Sequence, residues 1–537
     1  GRIHAIRPTQ ALKADSGSRG YAQDMAHGMV VTRRDRMRSA AAGLSAAFVA
    51  VGLSELVAAI VEPSASPFAV IGSGLIDLAP SWAKDTAIAL FGTGDKVALI
   101  VGVAIVLAVV AALAGILELR RPPIGAVILA ALGALAVVAA MIRPGAGPFA
   151  WLPGLVAGLV AVVVLRFLVR RLRPVAGLAP DDVDRRRFLV WTAGVAATGA
   201  VALIIGNLAR GASRSIEAVR AALRLPKAAR AAAPIPAGAD LEITGLAPVI
   251  TPNADFYRID TALIVPRIDP ADWSLRIHGM VDREIEITWD ELLAMPMQES
   301  DVTLACVSNE VGGSLIGNAR WLGLPVRELL ARAGVDADAD MVLSTSADGF
   351  TASTPIEALT DDRDALLAIG MNGEPLPIEH GFPVRMVVPG LYGYVSATKW
   401  VTQLEVTRFD RATAYWTTRG WSDRGPIKLQ SRIDVPRRGQ SIPAGDAVIA
   451  GMAWQQHVGI AGVEVRIDDG PWRAAELATA ISADTWVQWS LDWTAESGAH
   501  TVECRALSVD GETQTADPAA PAPDGAQGWH RIDVSVA

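Results

Sequence analysis

Cys306, in the stretch TLACVSNEVGGSLIGNARW (residues 303–321), is one of two cysteines in a chain of 537 residues. A cysteine sulfur can serve as a nucleophile, a redox group or a soft metal ligand. A nucleophile needs a base beside it, and His278, His380, His457, His500 and His530 show no spacing that pairs one of them with the thiol. A zinc site needs more sulfur or closely spaced histidines, which this stretch lacks. Two readings stay open. Cys306 is either a packed apolar residue in the strand-like DVTLACVSN, or one soft ligand to a metal whose other ligands come from an organic cofactor. Cys504, in HTVECRALSVDG, reads as a buried apolar residue, and no disulfide is expected.

The elements around Cys306 are a mixture. Between Asn253 and Val435 strands alternate with short helices: WSLRIHGMV alternates as a strand, TWDELLAMP is a capped turn, and GLPVRELLARAGV has helical spacing. From Ile449 onward AGVEVRIDDGPWRAAEL, WVQWSLDWTA and HTVECRALSVDG alternate around an Asp-Gly turn, the pattern of a β-sandwich.

The preceding 210 residues have a different composition. Mean hydropathy over the chain is +0.33, and runs at Ser39–Val61, Val97–Leu117, Ile124–Ile142, Ala150–Leu168 and Phe188–Leu208 each approach the length that crosses a bilayer. Five transmembrane helices are expected. Residues 62–95, broken by Pro80 and carrying Asp77, Lys84 and Asp85, are expected to form a re-entrant or interfacial segment, with a sixth membrane helix as the alternative. Arg33 to Arg38, Arg120 with Arg121, and Arg170 to Arg173 fall on one side of the spans, which is therefore the cytoplasmic side. Everything after Leu208 is then extracytoplasmic. Residues 1–28 hold no apolar stretch and are expected to be a disordered tail, not a signal peptide. Arg185, Arg186, Arg187, Phe188 and Leu189 reproduce the twin-arginine pattern, an address for exporting folded proteins. The same arginines would also hold the end of a helix in the cytoplasm. The formal charge of -8, with no dense basic patch outside the membrane flanks, gives no sign of nucleic-acid binding. No haem motif or cysteine cluster is present, and no histidine lies in a predicted span, so the helices anchor the protein without conducting electrons.

Over about Asn253 to Ala537 the residues resemble the sulfite oxidase type of molybdopterin oxidoreductases and its bacterial relatives that reduce methionine sulfoxide. CVSN is similar to the family's metal-binding cysteine with its asparagine three residues on; ARWLGLPVRELL and LLAIGMNGEPLPIEHGFPVRMVVPGLYGYVSATKW are similar to the segments that follow. The ending WHRIDVSV resembles the family's dimerisation domain. The resemblance implies a molybdenum-molybdopterin cofactor with Cys306 as the protein ligand to molybdenum. It implies cofactor contacts at Asn309, His380, Arg385, Ser396, Thr398, Lys399 and Asp348, and, from NADFYRID, at Asn253, Phe256, Tyr257 and Arg258. An arginine in the apolar FPVRMVV would be costly without a partner, and its fork suits a phosphate.

The pattern departs from sulfite oxidases where arginines would hold the anion. Glu310 and Val311 follow the cysteine, and Trp421 in YWTTRGWSD stands at the tyrosine position. A carboxylate near the mouth would repel sulfite, while Trp421, Trp321 and Tyr392 would suit a less charged substrate; Trp421 and Tyr392 join Cys306 as catalytic candidates.

The expected organisation is a cytoplasmic tail (1–38), a multi-pass membrane domain of about five helices (39–208), a linker (209–250), an α+β molybdopterin domain (251–435) and an all-β, immunoglobulin-like dimerisation domain (436–537). The expected activity is oxygen-atom transfer on a small substrate, with S- or N-oxide reduction favoured. Electrons would pass to or from a separate cytochrome or quinone-linked carrier, and the chain would pair as a homodimer. The alternatives are a sulfite dehydrogenase of the same fold and a non-catalytic membrane-bound interaction protein.

Overall fold

The computed structural model describes residues 32–61, 65–78, 95–142, 147–172, 182–212, 216–262 and 264–537. The tail expected over residues 1–28 lies outside them. The chain divides into two compact units, one helical and one built mainly of strands.

The helical unit is made from α1 (Arg33–Val61), the first turns of α2 (Pro67–Leu78), α3 (Asp95–Arg120), α4 (Ile124–Met141), α5 (Leu152–Arg170) and α6 (Asp182–Ala212). Among the described residues five helices, all but the 12-residue α2, are long and apolar enough to cross a membrane. Their outward side chains are apolar, with Val106, Val127 and Leu159 all more than half exposed. That surface suits lipid and would be unstable in water. Close contacts between helices are made by small residues. A β-carbon on Gly115 of α3 would fall on the Ser39 carbonyl oxygen of α1, and one on Gly43 would fall on the Ala111 carbonyl. The buried Glu55 accepts a 2.6 Å hydrogen bond from the Ser66 hydroxyl, just before α2. Helix α2 lies where the re-entrant segment was expected; residues 62–64 and 79–94 of that segment lie outside the described residues. Helix α6 runs through the arginine motif, of which the side chains of Arg185 and Arg187 are likewise outside the description.

The second unit begins with α7 (Ile216–Ala222). Its first half contains β1 (Ser274–Gly279), β2 (Ile285–Thr288), β3 (Gln298–Ala305), β4 (Ile316–Pro325), β5 (Met341–Ser346), β6 (Thr351–Pro355), β7 (Leu366–Met371), β8 (Glu374–Pro375), β9 (Arg385–Val387) and β10 (Val401–Thr407). Two sheets result, β2-β1-β10-β5-β6 and β3-β4-β7-β8, with β9 paired to β7. Strand β7, LLAIGM, is buried at every position, as a continuous apolar run predicts for a covered strand. Between β2 and β3, helix α8 (Trp289–Leu293) starts on a capping box formed by Thr288 and Glu291. After β4, α9 (Val326–Ala333) buries Val326, Leu329, Leu330 and Ala333, one face of a helix. Side chains from both sheets and both helices meet in one core that includes Leu275, Leu292, Leu324, Leu329 and Leu404.

The second half holds β11 (Gln430–Val435), β12 (Ser441–Ile442), β13 (Gly445–Trp454), β14 (Ile460–Ile467), β15 (Arg473–Ala474), β16 (Glu476–Leu477), β17 (Val487–Ala495), β18 (Gly498–Ser508) and β19 (His530–Val536). They form the sheets β11-β13-β17-β16 and β12-β19-β18-β14-β15 around a shared core of Ile449, Trp489, Val465, Cys504 and Ile532.

Two boundaries differ from the sequence expectation. Strand β11 lies before residue 436 yet pairs with β13, so it belongs to the sandwich. The stretch expected as a linker is bound along the strand-rich unit: the Ala229 amide donates to Met297 O, the Glu299 amide to Arg230 O, and the Trp486 indole and the Asn318 amide group to Val249 O. Its order comes from backbone hydrogen bonds to distant strands, which its own composition does not encode.

Candidate active site

Strand β3 delivers Cys306 to the edge of a cavity, and the residues after it fold into a closed loop. The Cys306 amide donates to Leu315 O at 2.9 Å, the Asn309 amide to Cys306 O at 3.1 Å, and the Leu315 amide to Asn309 Oδ1 at 2.8 Å. Asn309 therefore shapes the loop and does not line the cavity. Cys306 is 9% exposed. Burial pushes its pKa up; the Ser308 amide and hydroxyl, hydrogen-bonded to the sulfur, and the Lys399 charge oppose that shift.

Five expected contacts share the cavity wall with Cys306: Phe256, Tyr257, Asp348, Arg385 and Lys399; the catalytic candidate Trp421 joins them. Strand β9 carries Arg385, which is 3% exposed. Its guanidinium donates to the carbonyls of His380 (3.1 Å) and Met386 (3.4 Å) and lies 5.0 Å from the Trp321 ring centre. No described carboxylate lies within salt-bridge distance of it, and burial holds its pKa down to about 10. Lys399 Nζ reaches Asp260 (3.2 Å) and Glu379 O (2.9 Å); burial lowers it to about 8, against the pull of Asp260. Burial, reinforced by the Cys306 sulfur, keeps the Tyr257 hydroxyl far above the usual phenol range. His380 is 2% exposed, packs edge-on to Phe256, and is held neutral by burial, then by Lys399 and Arg385, with a pKa of about 3. Its Nδ1 has no hydrogen-bond partner among the described residues.

The remaining candidates lie elsewhere. Asn253 is held by Glu374 (2.6 Å) and Asn372 (2.8 Å), and Arg258 is exposed and pairs with Asp260. The Ser396 hydroxyl donates to Tyr392 O and that of Thr398 pairs with Ser344, both fully buried, so they build the turn beneath the cavity. Tyr392 points away: its hydroxyl accepts from the Lys428 amide at 3.4 Å beside Gly525. Trp321 is a core residue donating to Val302 O. Glu310 is exposed and does not line the cavity, so the expected carboxylate at the mouth is absent there.

The mouth is aromatic instead. Trp421 lies 6.1 Å from Trp416 and 5.9 Å from Tyr394 between ring centres. The Tyr394 hydroxyl donates to Ser422 O at 2.9 Å, which fastens the loop carrying Trp421. Sequence reasoning missed Ser308, Asp260, Tyr394 and Trp416. Ser308 sits inside CVSN and Trp416 inside YWTTRGWSD, so the signal for both was present in the motifs themselves.

Residues 262–416 match the family model described as oxidoreductase molybdopterin binding domain. The chain is 30% identical over 341 residues to mitochondrial sulfite oxidase of Macaca fascicularis, covering 54% of this chain and 62% of that protein. It is 33% identical over 157 residues to the uncharacterized oxidoreductase YuiH of Bacillus subtilis, covering 29% of this chain and 76% of that one. Among solved structures, the sulfane dehydrogenase SoxCD of Paracoccus pantotrophus aligns at 25% identity and a TM-score of 0.46, over 53% of this chain and 81% of that one.

Proposed function

The chain belongs to the sulfite oxidase-type molybdopterin oxidoreductases, molybdenum-dependent enzymes, and we propose that it transfers an oxygen atom from a small S- or N-oxide. The substrate accepts two electrons and two protons and leaves as sulfide or amine plus water; a separate cytochrome or quinone-linked carrier supplies the electrons. The five apolar helices anchor the enzyme in the cell membrane with the catalytic unit on the extracytoplasmic side. The C-terminal sandwich is immunoglobulin-like and mediates pairing of two chains.

The chain's own residues fit the cofactor. Arg385 is a buried guanidinium on the cavity wall with no carboxylate beside it among the described residues, a cost that a bound anionic pterin would offset, while His380, with an unpartnered Nδ1, is buried outside the cavity lining. Cys306 holds the metal, and Arg385, Lys399 and Asp348 hold the pterin and its phosphate. When bound, the molybdenum centre supplies the two-electron chemistry. Tyr257, which keeps its proton, offers a neutral hydroxyl in the cavity. Trp416 and Trp421 flank the substrate and exclude water.

One observation carries the choice of substrate. Among the residues lining the cavity the only cations are Arg385 and Lys399, both nearly or fully buried, while the mouth is tryptophan. A dianion would find no exposed positive charge there. The test is metal analysis together with turnover of sulfoxides and N-oxides by a reduced dye, against sulfite with a one-electron acceptor. We expect molybdenum near one atom per chain, oxide reduction that dominates, and loss of both in Cys306→Ser. Sulfite turnover exceeding oxide reduction would overturn the choice. That second reading, sulfite dehydrogenation, is favoured by the similarity to mitochondrial sulfite oxidase.

A further inference from the structure

The loop that presents Cys306 is held from outside its own domain. The Arg432 side chain of β11 is 8% exposed, and its NH1 donates to Gly313 O at 2.8 Å. Its other nitrogens grip Asp434 at 2.6 and 3.2 Å, which fixes the guanidinium plane. Asp434 in turn accepts from the Ala247 amide at 3.2 Å. Beside it, His530 of β19 lays its ring over Gly312, where a β-carbon would collide with the imidazole; Gly312 also has a φ of +76°. His530 Nδ1 accepts from the Ile433 amide at 2.9 Å, so the ring is pinned as well. Burial and the Arg432 charge hold it neutral, with a pKa of about 4.

We propose that Arg432 and His530, both in the C-terminal sandwich, are positioning residues for the Cys306 thiol: they clamp Gly313 and Gly312 of its loop and so fix where the sulfur sits. The sandwich is then part of the active site. This rests on the reading of Cys306 as the protein ligand to the metal. Among the described residues the loop is otherwise closed from within, by the hydrogen bonds at Asn309 and Leu315, by Ser308 on the sulfur and by the turn at Gly313. A thiol-bearing loop with one end free would open locally more often than the strands beside it.

The experiment measures thiol labelling in cofactor-free full-length chain, made in a host unable to build the pterin, read at Cys306 by peptide mass spectrometry. Cys504 is fully buried and contributes no competing signal. In Arg432→Met, labelling of Cys306 should accelerate about tenfold, the factor set by losing a charge-assisted hydrogen bond. His530→Gln, which keeps an acceptor for Ile433 but removes the ring, should accelerate it by a smaller factor and serves if the first variant does not fold. Arg505→Met, which removes an arginine paired with Glu464 elsewhere on the sandwich, should leave the rate unchanged. In cofactor-loaded protein the Arg432 and His530 variants should alter the paramagnetic spectrum of the half-reduced metal. Labelling at the wild-type rate with an unaltered spectrum, or equal acceleration in Arg505→Met, would overturn the proposal. Wild-type protein without molybdenum would sink the proposed function instead, since the labelling rates do not depend on the metal.

Discussion

Lys399 and Arg385 show what it costs to bury cations in the cavity wall. A cation taken out of water is destabilising unless paired, and Lys399 is held at about 8, below the ordinary lysine value, by burial. In cofactor-free protein the native state loses this proton before the unfolded chain does, so stability rises as pH climbs from about 8 toward the unfolded lysine value. Lys399→Met should therefore lack this rise, so that its stability relative to wild type falls by on the order of 2–3 kcal/mol between pH 8 and the unfolded lysine value. Chemical denaturation at several pH values measures this, and a gap independent of pH would refute it. Arg385 was legible in the sequence because an arginine inside FPVRMVV has no cheap alternative to a buried partner. Tyr392 was not. LYGYV offers two tyrosines, and the turn at Gly393 sends Tyr394 to the cavity and Tyr392 toward Gly525, a direction that residue type does not encode.

Among elements, the long apolar helices were the most legible and the tether the least. An apolar run of bilayer length is visible residue by residue, and the helices starting at Arg33, Asp95, Ile124 and Leu152 follow the expected runs closely. Residues 216–250 owe their course to Met297, Asn318 and Trp486, far away in the chain, and their Ala- and Pro-rich composition carries no periodicity that would reveal it. Within the bundle, α1 and α3 touch through glycine. Gly115→Leu should push them apart and cost about 1–3 kcal/mol, seen as a lower unfolding temperature in detergent. Gly102→Leu on the same helix faces open space and should change nothing. Equal melting of the two variants would contradict this packing.

At the scale of the molecule the proposed orientation rests on arginines alone, which fall on alternate loops of the sequence. In a background lacking both native cysteines, a cysteine at the exposed Asp510 should react with a membrane-impermeant maleimide on spheroplasts, and one at the exposed Arg121 should stay protected. The opposite pattern would invert the topology. The domain boundary was not legible in the sequence. Strand β11 follows the catalytic half without a break in composition and is assigned to the sandwich only by its ladder with β13. The ring of His530 over Gly312 joins residues far apart in the chain. A ribosome has to deliver nearly all of the sandwich before the thiol loop meets its last support. A nascent chain thus carries the thiol loop without the ring over Gly312 until translation has passed that histidine.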